Sequence, residues 1–188
     1  MRKLIFSMTV SLDGYVAGPG GDISWSVPDE ELFRFHTEAV GRIGAQICGR
    51  GLYETMLYWE TPAALDPSQT PLHREFARVW AQLPKYVFSR TLDHVEGTST
   101  LLRGDLQEEV ERLKRDDGAP LEVGGATLAG ALTQMGLIDE YHLFIRPVLL
   151  GGGTRYFPEL GSYSALELLE TRTFASCQVL FARYARAA

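Results

Sequence analysis

Two short segments of the chain combine glycines with the start of a predicted helix, a pattern suited to binding phosphate. The first is Gly124-Gly125-Ala126-Thr127-Leu128, which follows a strand-like apolar run and precedes apolar residues at helical spacing. Glycines lack a Cβ atom, so a ligand can approach their backbone closely. The first turn of a helix also carries unpaired N–H groups and a partial positive charge, which favour an anion. An alternative interpretation is that this glycine pair only makes a tight turn.

The second segment is Gly49-Arg50-Gly51-Leu52, which leads from a predicted strand over residues 44–48 into a short helix. Here an arginine lies inside the glycine turn. A guanidinium group can bind two phosphate oxygens at once, which suits a phosphorylated ligand. A solvated surface arginine is the alternative. Together the two segments predict a site for a ligand that carries more than one phosphate.

A group of acids marks the beginning of another predicted helix. Asp29, Glu30 and Glu31 follow Pro28, with Ser26 as a candidate N-cap, and the helix is expected to continue to Val40. A carboxyl group held in an apolar pocket has its charged form disfavoured and can assist protonation of a substrate. The alternative is that these acids only complement the helix dipole.

The composition excludes several classes of protein. The chain has 188 residues, 45% of them hydrophobic, and a formal net charge of -6, which argues for one domain and against a general nucleic-acid binder. Cys48 and Cys177 fit no metal-ligand spacing, so no metal site is predicted, and free thiols in a reducing compartment are expected. No stretch approaches the roughly 20 apolar residues of a membrane span. The cytoplasm is the expected location.

The predicted elements that position these residues indicate an α/β fold. Strands and helices alternate up to about residue 140, and strands then dominate, over residues 141–150, 166–173 and 178–184. This order predicts a largely parallel sheet with antiparallel strands added at one edge. Exposed edge strands in the C-terminal half also suggest a homodimer. The glycine-rich residues 14–22 are expected to form a long mobile loop.

Several motifs resemble the dihydrofolate reductase superfamily. Residues 49–54 resemble its Gly-Arg-x-Thr-x-Glu turn, residues 24–30 its Pro-Trp-x-x-Pro-x-acid segment, and Val123-Gly124-Gly125 its paired-glycine turn. Residues 10–14, 136–141 and 147–153 are more similar to the reductase domain of the bacterial riboflavin-pathway bifunctional deaminase-reductase. The chain is therefore identified as a member of this superfamily, closest to the riboflavin-type reductase domain.

The resemblance implies a three-layer fold with helices on both faces of the sheet, and a reductase that takes a hydride from NADPH. Arg50 would pair with the 2′-phosphate, aided by Ser89 and Arg90. Thr9 and Val16 would border the nicotinamide, and a cis peptide is expected between the paired glycines. The backbone of the two turns would hold the pyrophosphate through Gly49, Gly51, Leu52, Gly124, Gly125, Ala126, Thr127 and Leu128.

On the substrate side, the resemblance assigns proton handling to Glu30 with Asp29 beside it, and substrate contacts to Trp25 and Phe33. Trp25 could equally serve only in packing. Three differences from the dihydrofolate reductase motifs argue against dihydrofolate as the substrate. Residues 83–85 contain no arginine, Ile145 stands in place of a threonine, and Ala129 stands in place of an aromatic residue. No zinc-deaminase signature is present either. The expectation is a stand-alone riboflavin-type reductase; a dihydrofolate reductase and a non-catalytic NADPH-binding or sensing protein are the alternatives.

Overall fold

Strands and helices alternate through the first three quarters of the chain, as the sequence predicts. The computed structural model describes residues 1–187. Its strands are β1 (Leu4–Ser11), β2 (Tyr15–Ala17), β3 (Ala45–Gly49), β4 (Lys85–Phe88), β5 (Ser99–Leu102), β6 (Leu121–Gly124), β7 (Glu140–Arg146), β8 (Thr154–Arg155), β9 (Leu166–Phe174) and β10 (Val179–Arg186). Its α-helices are α1 (Glu30–Val40), α2 (Arg50–Met56), α3 (Pro71–Gln82), α4 (Leu106–Arg115) and α5 (Ala126–Gln134). Within residues 1–187, none of the helices has the length and apolar character needed to cross a membrane.

Eight of these strands form one sheet, in the order β5-β4-β3-β6-β1-β7-β10-β9. The pairs from β5 to β7 are parallel, and β10 pairs antiparallel with both β7 and β9. The predicted α/β sheet with antiparallel C-terminal strands is therefore confirmed. Because the carboxyl ends of parallel strands meet at one edge, the turns that follow β3, β4 and β6 lie near each other.

Helices cover both faces of the sheet. On one face the main apolar cluster joins β1 and β6 to α4 and α5, through residues such as Leu4, Val123, Leu113 and Leu132. On the other face, Leu32 of α1 packs with the phenylalanines of β7, β9 and β10. Helices α1 and α3 also pack on each other through a cluster that includes Val40, Phe76 and Trp80. The predicted three-layer arrangement is confirmed.

Two element boundaries differ from the expected ones. Helix α1 begins at Glu30, and its N-cap is Asp29, whose side chain accepts a hydrogen bond from the Leu32 N–H at 2.9 Å, so the Ser26 cap is wrong. Strand β7 ends at Arg146 and not at residue 150, because the next residue, Pro147, has no N–H to contribute to the ladder.

The glycine-rich segment after β1 contains a short strand. Strand β2 pairs antiparallel with β8, so the expected loop over residues 14–22 is interrupted at residues 15–17. The Asp13 carboxylate accepts hydrogen bonds from the Leu150 and Gly151 N–H groups, at 3.1 and 2.7 Å. Gly153 has φ of 119°, and a Cβ there would collide with the Ala17 carbonyl. The segment is thus attached to residues 150–155.

Candidate functional site

The two glycine turns lie side by side. Strands β3 and β6 pair in parallel, and Cys48 lies opposite Gly124, immediately before both turns. A Cβ at Gly124 would overlap the Leu52 side chain, and one at Gly125 would lie 3.9 Å from Leu52 Cβ. The N-termini of α2 and α5 therefore open at the same edge of the sheet. Two helix N-termini in contact offer several N–H groups to one anionic ligand.

The backbone of both turns has room for a ligand. Gly125 has φ of 89° and ψ of 115°, a conformation that favours glycine. All peptide bonds within residues 1–187 are trans, so the cis bond expected at Gly124–Gly125 is wrong; the chain turns there through the positive φ of Gly125. At Gly49 and Gly51, no heavy atom lies within 4 Å of the position that a Cβ would take.

Arg50 is the first residue of α2 and is exposed. Its Nε lies 2.7 Å from Glu54 Oε1 and its Nη1 donates to Thr91 Oγ1 at 3.1 Å. Ser89 Oγ accepts hydrogen bonds from the Thr91 and Leu92 N–H groups, and so shapes the turn after β4. Thr91 thus links Arg50 to the end of β4, and the structure brings Arg50 and Ser89 together as predicted.

A pocket of about 370 Å³ lies along one side of α5 and contains three of the predicted cofactor residues, Ser89, Arg90 and Leu128. Arg103, at the end of β5, also lines it and donates hydrogen bonds to the Arg90 and Leu92 carbonyls. Sequence reasoning missed Arg103. The available signal was its position directly after a parallel strand, at the same edge as the glycine turns.

A second hollow, of about 410 Å³, lies on the other side of α5 and contains Ala126 and Thr127. Arg155 of β8 lines this hollow as well, and its guanidinium lies 5.4 Å from the centroid of the Tyr15 ring. Arg155 is a further cation near the N-terminus of α5 that the sequence did not single out, because its position depends on the pairing of β8 with β2.

The two residues predicted to border the nicotinamide differ in exposure. Thr9 lies near the carboxyl end of β1, half-buried, opposite Phe144 of β7. Val16 of β2 is only 5% exposed and belongs to the main apolar cluster. Thr9 can therefore contact a ligand at this edge, whereas Val16 supports the site from within the core.

Three of the four predicted substrate-side residues meet in a cleft of about 640 Å³ between α1 and the start of α3. Asp29, Glu30 and Phe33 line it from α1. From the opposite wall come Thr70, Pro71, Leu72 and Glu75. Trp25 is not among the lining residues; its Nε1 donates to the Asp22 carbonyl at 3.1 Å, in the segment before α1.

Neither acid of α1 lies in an apolar pocket. The Glu30 side chain is 78% exposed and pairs with Arg34 one helical turn away, at 2.7 Å. Asp29 is held by its capping role, and hydrogen bonds from Ser176 and then from the Leu32 N–H lower the pKa of its carboxyl group. The apolar environment expected around Glu30 is therefore wrong, because α1 presents its first turn to solvent; its catalytic role stays a prediction.

A half-buried acid, Glu122, lies closer to the glycine turns. Leu121 and Val123 belong to the cluster under α4 and α5, so Glu122 between them points to the opposite face. Burial raises the pKa of Glu122 from its ordinary 4.5 to about 8. With the Gln46 amide oriented so that both ends are satisfied, its nitrogen donates to Glu122 Oε1 at 3.3 Å and its oxygen accepts from the Gly124 N–H at 3.1 Å. Sequence reasoning did not single out Glu122.

The orientation of β7 contradicts one expectation from the resemblance, namely that Ile145 takes the place of a threonine. Ile145 packs against the cluster under α4 and α5, on the face of the sheet away from α1, so it cannot stand where a threonine would support an acid of α1. Its neighbour Phe144 faces α1 and contacts the His36 ring, with 4.5 Å between centroids. Burial lowers the pKa of His36 to about 4, which keeps this histidine neutral.

Comparisons with known proteins identify the family of the chain and its fold. Residues 2–180 match the RibD C-terminal domain family. The uncharacterized protein YyaP of Bacillus subtilis (strain 168) is 30% identical over 176 residues, covering 93% of this chain and 90% of YyaP.

Two solved structures share the fold over nearly the whole chain. One is a protein of Shewanella sp. PV-4 whose name proposes a role in riboflavin biosynthesis (TM-score 0.77, 24% identity, 100% of both chains). The other is dihydrofolate reductase from Enterococcus faecalis, complexed with NADP(H) (TM-score 0.64, 15% identity, 99% of this chain and 97% of that one). The chain belongs to the RibD C-terminal domain family and has the fold of dihydrofolate reductase, as its motifs indicated.

Proposed function

We propose that this chain is a single-domain, NADPH-dependent reductase of the riboflavin type, which transfers a hydride to a small heterocyclic, carbonyl or imine substrate. The observation that carries the proposal is the contact between the two glycine turns at the carboxyl edge of the sheet, with Arg50 at the start of one of them. Membership of the RibD C-terminal domain family supports it.

The residues at this edge fit a phosphorylated dinucleotide. The open space at Gly49 and Gly51 admits a ligand against the N-terminus of α2, and the turn at Gly125 exposes the N-terminus of α5. The backbone N–H groups of residues 51–52 and 125–128 would bind the pyrophosphate. When bound, NADPH would supply the hydride.

Arg50 would select the phosphorylated form of the dinucleotide. Its guanidinium is exposed and is held only by Glu54 and Thr91 in a surface ion pair, which is readily exchanged for a phosphate. Ser89 is linked to Arg50 through Thr91, and Ser89 lines a neighbouring pocket together with the cations Arg90 and Arg103.

The substrate would bind in the cleft between α1 and α3. Phe33 offers an apolar ring there, and Glu30 with Asp29 offers carboxyl groups that can orient a substrate or pass a proton to its heteroatom. Because the Glu30 side chain is exposed without ligands, a bound substrate must exclude water from it before it can transfer a proton efficiently. Trp25 would contact the substrate from the segment that precedes α1.

The segment around Lys85 argues against dihydrofolate. The resemblance places an arginine for that substrate's carboxylate in this segment, but Lys85 is only 2% exposed and binds Glu60 and the Trp80 carbonyl. Arg34 lines the cleft and is a cation available there to an anionic group of a substrate. On family membership we favour a ribosylaminouracil-type substrate, as in 5-amino-6-(5-phosphoribosylamino)uracil reduction. We place the enzyme in the cytoplasm, where Cys48 and Cys177 would remain reduced.

The test is to follow the loss of NADPH absorbance with a panel of pteridine, pyrimidine and quinone compounds. Turnover of the ribosylaminouracil substrate supports the proposal, and turnover of dihydrofolate alone would favour a dihydrofolate reductase instead. NADPH binding without turnover of any compound would indicate a sensing protein. A chain that binds no NADPH would contradict the proposal entirely.

A further inference from the structure

A pocket of about 530 Å³ lies at the amino edge of the sheet, the edge opposite to the glycine turns. It is lined by the end of α5, the start of β7, the end of β10 and side chains from residues 157–166. Strand β10 runs antiparallel to β7, so Arg186 at the end of β10 lies near Tyr141 at the start of β7. Helix α5 begins at the glycine turns and ends at this pocket, which we call the amino-edge pocket. It is therefore separate from the proposed cofactor site.

One wall of the amino-edge pocket is aromatic. The rings of Tyr141 and Phe157 lie with 5.3 Å between their centroids and an angle of 56° between their planes. Leu160 and Leu166 also line the pocket and are 42% and 36% exposed. Tilted rings with aliphatic side chains beside them favour contact with another flat apolar ring. The volume lies within the range of about 300–1,000 Å³ that is typical of sites for small organic ligands.

Polar groups converge beside this wall. The Arg186 guanidinium donates a hydrogen bond to the Gly136 carbonyl and has further N–H groups to offer. Burial raises the pKa of the Tyr141 hydroxyl, while the nearby Thr133 hydroxyl and the Arg186 charge act in the opposite direction. The Tyr141 hydroxyl therefore stays protonated at neutral pH and can donate. Thr133 Oγ1 is buried and has no hydrogen-bond partner within residues 1–187, so the polar groups at this end lack an acceptor.

The charges around the pocket favour a carboxylate over a phosphate group. Among the described residues that line it, Arg186 is the one cation and Glu159 the one acid. The Asp139 carbonyl accepts from the Arg186 N–H at 3.1 Å, while the Asp139 carboxylate binds Lys114 Nζ at 2.6 Å. A single guanidinium with two acids in its neighbourhood matches one negative charge better than two. It can bind a carboxylate through two parallel hydrogen bonds.

We propose that the amino-edge pocket binds a small aromatic carboxylate, with its ring against Tyr141 and Phe157 and its carboxylate on Arg186. The hydroxyls of Tyr141 and Thr133 complete the polar end of the site. The pocket shares no residue with the proposed NADPH site or with the cleft between α1 and α3. The proposal therefore does not depend on the proposed catalytic activity.

Calorimetric titration with cinnamate and with cinnamamide, which has the same shape without the charge, tests the ligand class. The wild-type chain is expected to bind the acid about tenfold more tightly than the amide. Arg186→Gln should remove that difference. Arg155→Gln, in the hollow that adjoins the pocket along α5, should preserve it. No binding of cinnamate, equal affinity for the two compounds, or the same loss in both variants would overturn the proposal.

Nuclear magnetic resonance tests the location. Cinnamate is expected to shift the amide signals of Thr133, Gly136 and Ser162, and NADPH should not displace it. Ser162→Trp fills the pocket from an exposed position, so circular dichroism should stay unchanged while the affinity for both compounds falls about tenfold. Shifts confined to the glycine turns, displacement by NADPH, or unchanged affinity in Ser162→Trp would exclude this pocket as the site.

Discussion

The two sides of the candidate site are held in different ways. On the cofactor side, the turns after β3 and β6 are fixed by parallel strand pairing and by the positive φ of Gly125. On the substrate side, Glu30 projects from the first turn of α1 and is held by a single surface ion pair. The comparison teaches that backbone geometry prepares the cofactor site, whereas side chains of the substrate cleft must be ordered by what binds there.

The largest effect is expected from a change in the prepared turn. Gly125→Val puts a β-branched residue at φ of 89°, which should destabilise the fold by about 1–3 kcal/mol and abolish NADPH binding. Chemical denaturation and calorimetric titration measure the two effects. Gly161→Val is the control, because a Cβ at Gly161 meets no atom within 4 Å and its φ is not positive. Unchanged NADPH binding in Gly125→Val would show that this turn is not part of the NADPH site.

On the substrate side, Glu30→Gln should lower the turnover number by about 100-fold, the lower end for loss of an acid–base group, with NADPH affinity unchanged. Steady-state kinetics with the reducible compound found in the panel measure it. Glu38→Gln is a matched control, because Glu38 pairs with Arg42 at the same spacing on α1 and lies outside the cleft. An unaltered turnover number for Glu30→Gln would show that another group handles the proton.

A smaller effect should come from the half-buried acid beside the glycine turns. The pKa of Glu122 is about 8 in the folded chain against an ordinary 4.5, so the folded state retains a proton that the unfolded chain loses. Stability should therefore fall as pH rises from 4.5 to about 8. Above that range, the carboxylate next to the Gly124 turn should weaken NADPH binding by about three- to tenfold.

Denaturation and NADPH titration across this pH range check the effect of Glu122. In Glu122→Gln, which keeps the shape but does not titrate, both pH dependences should flatten. If wild type and Glu122→Gln show the same pH profiles, then Glu122 does not act on the turn.

The sequence predicted the parts of this molecule that depend on local pattern. The α/β sheet and the two glycine turns follow from periodicity and turn chemistry. The contributions of Arg103 and Arg155 to the site could not be predicted in this way, because each depends on strands that are distant in sequence. The surroundings of Glu30 and the half-buried state of Glu122 were missed for a related reason: exposure is decided by packing, which a motif does not encode.

The central claim is that the two turns bind a dinucleotide and that Arg50 selects its phosphorylated form. Calorimetric titration of the wild-type chain and of Arg50→Gln with NADPH and with NADH tests it most directly, with Arg42→Gln as the control for another exposed arginine in a similar ion pair. We expect Arg50→Gln to weaken NADPH binding by about 10- to 100-fold while NADH binding is unchanged. No uptake of NADPH by the wild-type chain, or an equal loss for both dinucleotides, would contradict the account.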